Sequence, residues 1–243
     1  YWARCPFHTD AHATNFSVSE RGFRCFVCGS KGGLLALAEK IGAPVARWRG
    51  AATDKSTFYS LAQYAQDKQL PEGFLRSLGL TDRKYGGSAA VRIPYRDAAG
   101  MEVAARYRIA ATGEDKFRWQ KGIKAQPYGL DRLNRSAEYV VIVEGESDAQ
   151  TLWLRNVPAV GIPGASMWKT EWTQYFTGLT VYIWQEPDQG GAQFVAKIGA
   201  SLPDCRIITP PPGRKDISAC HLAGDDVPSL LAQLMTAARP YRD

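Results

Sequence analysis

Two groups of residues in the 243-residue chain have the types and spacing to hold metal ions. Cys5-Pro-Phe-His8 and Cys25-Phe-Val-Cys28 offer three thiolates and one imidazole as two close pairs, with 16 residues between the pairs. Ligands so spaced reach adjacent corners of a tetrahedron from one tight turn, and two such pairs complete the shell of a structural zinc. No corner is left for a reacting water, so this metal would hold a mini-domain together. His12 competes with His8 within His-Thr-Asp-Ala-His, but His8 fits the knuckle spacing, which leaves His12 on the surface or in a supporting hydrogen bond. Cys205 and Cys220, flanked by apolar or small residues, read as buried small hydrophobes.

The second group is acidic. The apolar run Tyr139–Val143 ends in Glu144-Gly145-Glu146-Ser147-Asp148, and the run Thr180–Trp184 leads into Glu186-Pro187-Asp188-Gln189-Gly190-Gly191. Both belong to a stretch in which continuous apolar strands alternate with helical segments, the pattern of a parallel sheet covered on both faces. Carboxyl ends of neighbouring parallel strands converge on one crevice, which brings these acids together. Crowded carboxylates need a cation, and oxygen ligands with an incomplete shell suit magnesium or manganese. Glu146 follows a glycine turn and reads as a solvated or capping residue outside the metal shell, so its replacement by Gln should be mild. For Asp148 an N-terminal helix cap competes with a supporting metal role.

Charge is divided unevenly. Residues 1–136 carry 22 Lys and Arg against 12 acids, whereas residues 137–243 carry 8 against 12, so a net +10 stands beside a net −4. A basic half suits a polyanion and an acidic half suits divalent cations. Within the basic half, Arg92, Arg96, Arg106, Arg108, Lys116, Arg118, Lys121 and Lys124 are interleaved with Tyr95, Tyr107, Phe117 and Trp119. Cations attract phosphates and flat rings stack on bases, which is how single strands are held; the lesser alternative is that the alternation marks the polar side of a hairpin. In the cysteine module Arg4, Arg24 and Lys31, with Trp2 and Phe26, point the same way.

These residues need a frame, and the pattern supplies four segments. Residues 1–44 form a zinc-binding domain closed by a short helix in Leu-Leu-Ala-Leu-Ala-Glu-Lys, and 45–57 a linker with little apolar periodicity. Residues 58–136 form a basic α+β subdomain that starts with a helix and contains a β-hairpin from Ala90–Gly100 and Met101–Ala110. Residues 137–243 form the doubly wound α/β sheet, with a helix expected near Thr170–Phe176. Hydrophobic residues at 45% suffice for real cores, yet no apolar run approaches the twenty or so residues of a membrane span and none reads as a signal peptide. The expected compartment is the cytoplasm. There is no internal repeat and no phosphate-binding loop of the GxxxxGK type.

CPFH, then NFSV, then FRCFVCGSKGG resembles the N-terminal zinc module of bacterial and phage DnaG-type primases over nearly all of residues 1–42. VEGESDA followed by EPDQGG resembles the Toprim domain over roughly residues 137–220. The resemblance makes Glu144 the first metal acid, Glu186 and Asp188 the acid-x-acid pair, Asp148 a secondary acid, and Lys215-Asp216 the later Lys-Asp element. Magnesium or manganese would then be held by Glu144, Glu186, Asp188 and Asp216. The family's pair usually begins with Asp rather than Glu186, and a second acid often stands where this chain has Ser218 and Ala219. EDKFRWQKGIKAQPYGL resembles the primase segment before Toprim, which implies that Lys116 and Lys121 contact nucleotide or template phosphate, joined by Arg106, Arg108, Arg118, Lys124 and Lys215.

The implied activity is template-directed synthesis of short RNA primers from ribonucleoside triphosphates on single-stranded DNA, with zinc structural and magnesium or manganese catalytic. The zinc module would help to select the start site. A helicase would act on a separate chain or beyond residue 243, and the start at YWARCPFH suggests a trimmed chain or a mobile-element protein. The alternatives are another Toprim enzyme, such as a nuclease or a topoisomerase-like protein, and a non-catalytic single-stranded DNA-binding adaptor.

Overall fold

Val140, Val141, Ile142 and Val143 are wholly buried and alternate between two apolar cores. Val141 and Val143 enter one core, Val140 and Ile142 the other. A strand buried on both faces must lie inside a sheet that is covered on both sides. In the computed structural model, which describes residues 1–9, 12, 14–19, 22–42, 59–113, 116–134 and 136–242, that strand is an inner strand of a sheet in the larger of two compact units. The units are Tyr1–Lys55 and Ser56–Asp243. The expected linker, 45–57, lies outside the described residues.

The first unit is a four-stranded antiparallel sheet in sequence order, β1 (Trp2–Ala3), β2 (Phe16–Ser19), β3 (Gly22–Cys25) and β4 (Lys31–Gly32), followed by helix α1 (Leu34–Lys40). Its core is Cys5, Phe16, Phe23 and Cys25, with Phe7, Val18, Ala36 and Leu37 packed around them. So small a core cannot support a fold without a staple.

The second unit opens with α2 (Leu61–Lys68), capped by Ser60, whose hydroxyl accepts from the Gln63 amide at 3.1 Å, and α3 (Glu72–Ser77). An antiparallel sheet follows: β5 (Thr81–Tyr85), β6 (Ser88–Arg96), β7 (Glu102–Arg108) and β8 (Phe117–Trp119). The expected hairpin is the β6–β7 pair, and Asp97 braces its turn by accepting from the Ala99 and Met101 amides. Next come β9 (Tyr139–Glu144), α4 (Glu146–Leu154), β10 (Ala159–Ile162), β11 (Thr180–Trp184), α5 (Gln189–Gly199) and β12 (Arg206–Ile208). These strands pair in parallel in the order β10-β9-β11-β12. Thr170–Phe176, expected as a helix, is a 3-10 turn. Two helices beyond the sequence reading, α6 (Ile217–Leu222) and α7 (Val227–Thr236), lead to a short antiparallel edge strand, β13 (Arg239–Pro240).

The two sheets of this unit share one core, in which Tyr64, Leu75, Ile93 and Tyr95 meet Val141, Leu152 and Trp153. The basic subdomain and the acidic sheet are therefore one packed body. Among the described residues no helix is long and apolar enough to cross a membrane.

Candidate functional site: a thiol cluster and an acidic crevice

In the small unit the ligand atoms of Cys5, His8, Cys25 and Cys28 all lie within 4.8 Å of one another. The Cys5 and Cys28 sulfurs are 3.8 Å apart, which matches the edge, about 3.8 Å, of a tetrahedron with Zn–S bonds of about 2.3 Å. His8 Nδ1 is buried with no hydrogen-bond partner among the described residues, as a ring nitrogen kept for a metal would be. The Ser30 hydroxyl, 3.3 Å from the Cys28 sulfur, pulls that thiol down to about 6, towards the thiolate that zinc requires. The donor set fits zinc. His12 is exposed and stands outside the group. On the same unit Trp2 and Phe26 stack at 5.8 Å while 60% and 57% exposed, with the Arg24 guanidinium 5.1 Å from the Phe26 ring.

The acids of the larger unit are placed by strand ends and helix caps. Gly145, at φ +91°, turns the chain from β9 into α4 in a conformation that L-residues rarely adopt. Asp188 caps α5, accepting from the Gly191 amide at 2.9 Å, and Gly191 is required because a Cβ there would collide with the Glu186 backbone. Asp216 caps α6, accepting from the Ala219 amide at 2.6 Å. Asp148, in the first turn of α4, accepts from the Ser218 amide at 2.8 Å, which joins the starts of α4 and α6.

The carboxylate oxygens of Asp148, Glu186 and Asp216 consequently lie within 4.8 Å of one another. The expected quartet was Glu144, Glu186, Asp188 and Asp216; Glu144 and Asp188 stand outside this group, and Asp148 is inside it. Asp188 is drawn off by its cap and by Lys215, whose ammonium lies 3.3 Å from Asp188 Oδ2 and 3.0 Å from Glu186 Oε2. Glu144 accepts from the Ala165 amide at 3.3 Å and remains close enough to raise the Glu186 pKa. The Trp184 indole donates to the Lys215 carbonyl at 3.1 Å and so anchors the Lys-Asp turn under β11.

Burial first, and the Asp216 charge second, push Asp148 up to about 7 against the Ser218 amide and the Lys68 cation. Burial also raises Glu186, whereas the Gly191 amide holds Asp188 below its ordinary value. Lys215 is raised by its bond to Glu186. Three hard oxygen donors that repel one another suit a divalent cation.

Several residues expected on a nucleic-acid surface turn inward instead. Arg106 pairs with Glu146 at 3.0 Å, and Arg108, 6% exposed, donates to the Ala110 and Ala111 carbonyls under Tyr59, Tyr64 and Phe117. Tyr95 is wholly buried, and Phe117 and Trp119 pack on Arg106. The physical reason is that these alternating positions face the shared core, where a guanidinium lies on aromatic rings rather than in water. Glu146, expected to be solvated or to cap a helix outside the metal shell, is 2% exposed and stands outside the group of three acids. Arg118, Lys121 and Lys124 are exposed, and Lys116 is half-buried.

A search of curated proteins finds the Gene 57 protein of Mycobacterium phage D29, 36% identical over 124 residues that span 51% of this chain and 82% of that protein. The chain belongs to the family of that phage protein. No family model matches the sequence. Among solved structures, the gene 57 family fold seen here is similar to the primase fragment of the bacteriophage T7 primase-helicase protein, at 20% identity over 96% of this chain and 98% of that one, with TM-score 0.57. It is also similar to the zinc-binding and RNA polymerase domains of Aquifex aeolicus primase, at 15% identity over 98% and 78% of the two chains, with TM-score 0.58. The fold is that of the DnaG-type and phage primases, as the cysteine and acid motifs implied.

Proposed function

We propose that the chain is a DNA primase that makes short RNA primers on single-stranded DNA. The observation that carries this reading is the convergence of Asp148, Glu186 and Asp216 at the carboxyl ends of the parallel strands, inside a primase fold that also brings a Cys-His-Cys-Cys group. Asp148, Glu186 and Asp216 would hold magnesium or manganese, which when bound neutralises charge on the transferred phosphoryl group. Cys5, His8, Cys25 and Cys28 would hold a structural zinc.

In the reaction, the 3′ oxygen of the growing primer forms a bond to the α-phosphorus of the next ribonucleoside triphosphate. The bond to the β-phosphate bridging oxygen breaks, and pyrophosphate leaves. Glu144, beside the three acids but not among them, is the carboxylate available to take the hydroxyl proton. Lys215 keeps two acids charged and adds a cation facing the phosphates, while Lys116, Arg118, Lys121 and Lys124 attract template and triphosphate. The exposed Trp2–Phe26 stack and Arg24 offer the zinc unit a face for template bases. A helicase partner acting beside the chain, as the T7 neighbour's primase-helicase makes natural, and a cytoplasmic place of work complete the reading.

Random-sequence single-stranded DNA, magnesium and the four ribonucleotides should yield a ladder of short RNA. Template that is bound but never copied would favour the adaptor, and template that is shortened would favour a nuclease.

A further inference from the structure

Seven of the nine residues of α4 are buried, and Glu146, Asp148, Gln150 and Thr151 among them are polar. Three of these reach partners on different elements. Asp148 takes the Ser218 amide; Gln150 accepts from the Tyr64 hydroxyl at 2.6 Å and donates to the Tyr128 hydroxyl at 3.0 Å; Glu146 Oε1 accepts from the Tyr95 hydroxyl at 2.5 Å and from Arg106 Nη1 at 3.0 Å.

The Arg106–Glu146 pair is closed off from water, with side chains 14% and 1% exposed. Arg106 lies 4.1 Å from the centre of the Phe117 ring and 5.3 Å from that of Trp119. Burial opposes its charge, yet Glu146 and Tyr95 keep its pKa above the ordinary value. Stability is a poor reason for such a pair, because desolvation cancels most of the attraction and apolar residues of similar volume do as well. Its geometry is not the best available either. Glu146 Oε2 and Arg106 Nε are buried without partners among the described residues, although a two-bond fork would satisfy both. What the contact does accomplish is placement: it ties the first residue of α4, two positions from both Glu144 and Asp148, to β6 and β7.

We propose that Glu146, held by Arg106 and Tyr95, is a positioning residue that fixes where the Asp148 carboxylate meets those of Glu186 and Asp216. This rests on reading those three acids as the divalent-cation site. The expectation that Glu146→Gln is mild is thereby reversed. Partners that orient metal ligands change affinity by about 10- to 100-fold when removed.

The test measures Mn²⁺ binding to the full chain by the paramagnetic resonance signal of the free ion, with melting temperature and primer synthesis followed alongside. Glu146→Gln should weaken Mn²⁺ binding at least about tenfold and lower the melting temperature, since Arg106 is left uncompensated. The double variant Glu146→Gln with Arg106→Met removes that stranded charge and should recover the melting temperature while Mn²⁺ binding stays weak. If Mn²⁺ affinity returns with stability, or never falls in Glu146→Gln, the role is structural only and the proposal is overturned. Should Glu146→Gln fail to fold, the double variant decides alone: weak Mn²⁺ binding in a stable protein supports the proposal and wild-type binding overturns it. Wild-type chain that binds Mn²⁺ but makes no RNA would refute the primase reading without touching this one. Wild-type chain that binds no Mn²⁺ removes the ground for this one.

Discussion

Burial and the Asp216 carboxylate lift Asp148 to about 7, so in the metal-free chain this acid holds its proton well into the range where others have lost theirs. A divalent cation entering the group must expel that proton. Below pH 7 the apparent affinity for Mn²⁺ should therefore fall by up to about tenfold per pH unit, and above pH 7 it should level off. In Asp148→Asn the overall affinity should be much weaker and this pH slope absent; calorimetric titrations at pH 6, 7 and 8 would show both. Cysteine chemistry divides in the same way by surroundings. Burial pushes Cys205 and Cys220 up to about 11, leaving roughly one thiol in a thousand ionised at pH 8, whereas Cys28 stands near 6. Iodoacetamide at pH 8 should spare all five thiols of the zinc-loaded protein. After chelation the small unit should lose its fold, and Cys5, Cys25 and Cys28 should all be modified while Cys205 and Cys220 are still unmodified by mass spectrometry.

Helix α4 shows what the sequence can convey about an element. Its existence, its place after a central strand and the nearness of its acids to a crevice were legible, because parallel strands buried on both faces leave a plain apolar signature. From the sequence Asp148 reads as a helix cap or a supporting metal residue and Glu146 as lying outside the metal shell; how closely Asp148 approaches Glu186 and Asp216 depends on the Ser218 amide, 70 residues away. Glu146 and Arg106 misled for a related reason. An isolated charge in an alternating stretch reads as solvated, and only the fold reveals that two such charges, 40 residues apart, meet under a lid of rings. Gln150 is the sharpest case, wholly buried and joining Tyr64 of α2 to Tyr128. Gln150→Leu keeps the volume but strands two buried hydroxyls, so unfolding in urea should show a loss of about 2–4 kcal/mol. A loss below about 1 kcal/mol would mean that water enters and satisfies both tyrosines.

At the scale of the whole molecule the charge split survives the structure in reduced form. Arg106 and Arg108 contribute to the +10 of residues 1–136 but turn inward, whereas Arg118, Lys121 and Lys124, like Arg83, Lys84 and Arg132, stay exposed in the segment before the parallel sheet. Each phosphate neutralised on a single strand contributes about −0.7 to the slope of log affinity against log salt. If about five phosphates are engaged, the slope should be near −3.5, and affinity for single-stranded DNA should drop by about 100-fold between 50 and 200 mM salt. Lys121→Ala with Lys124→Ala should flatten the slope by about 1.4 without moving the melting temperature, because both side chains are exposed and neither ammonium has a partner among the described residues. Arg108→Gln should do the reverse, lowering the melting temperature through the lost Ala110 and Ala111 bonds while the slope stays put. Fluorescence anisotropy across a salt series separates the two. Equal slopes for wild type and the double lysine variant would move the template path off this segment.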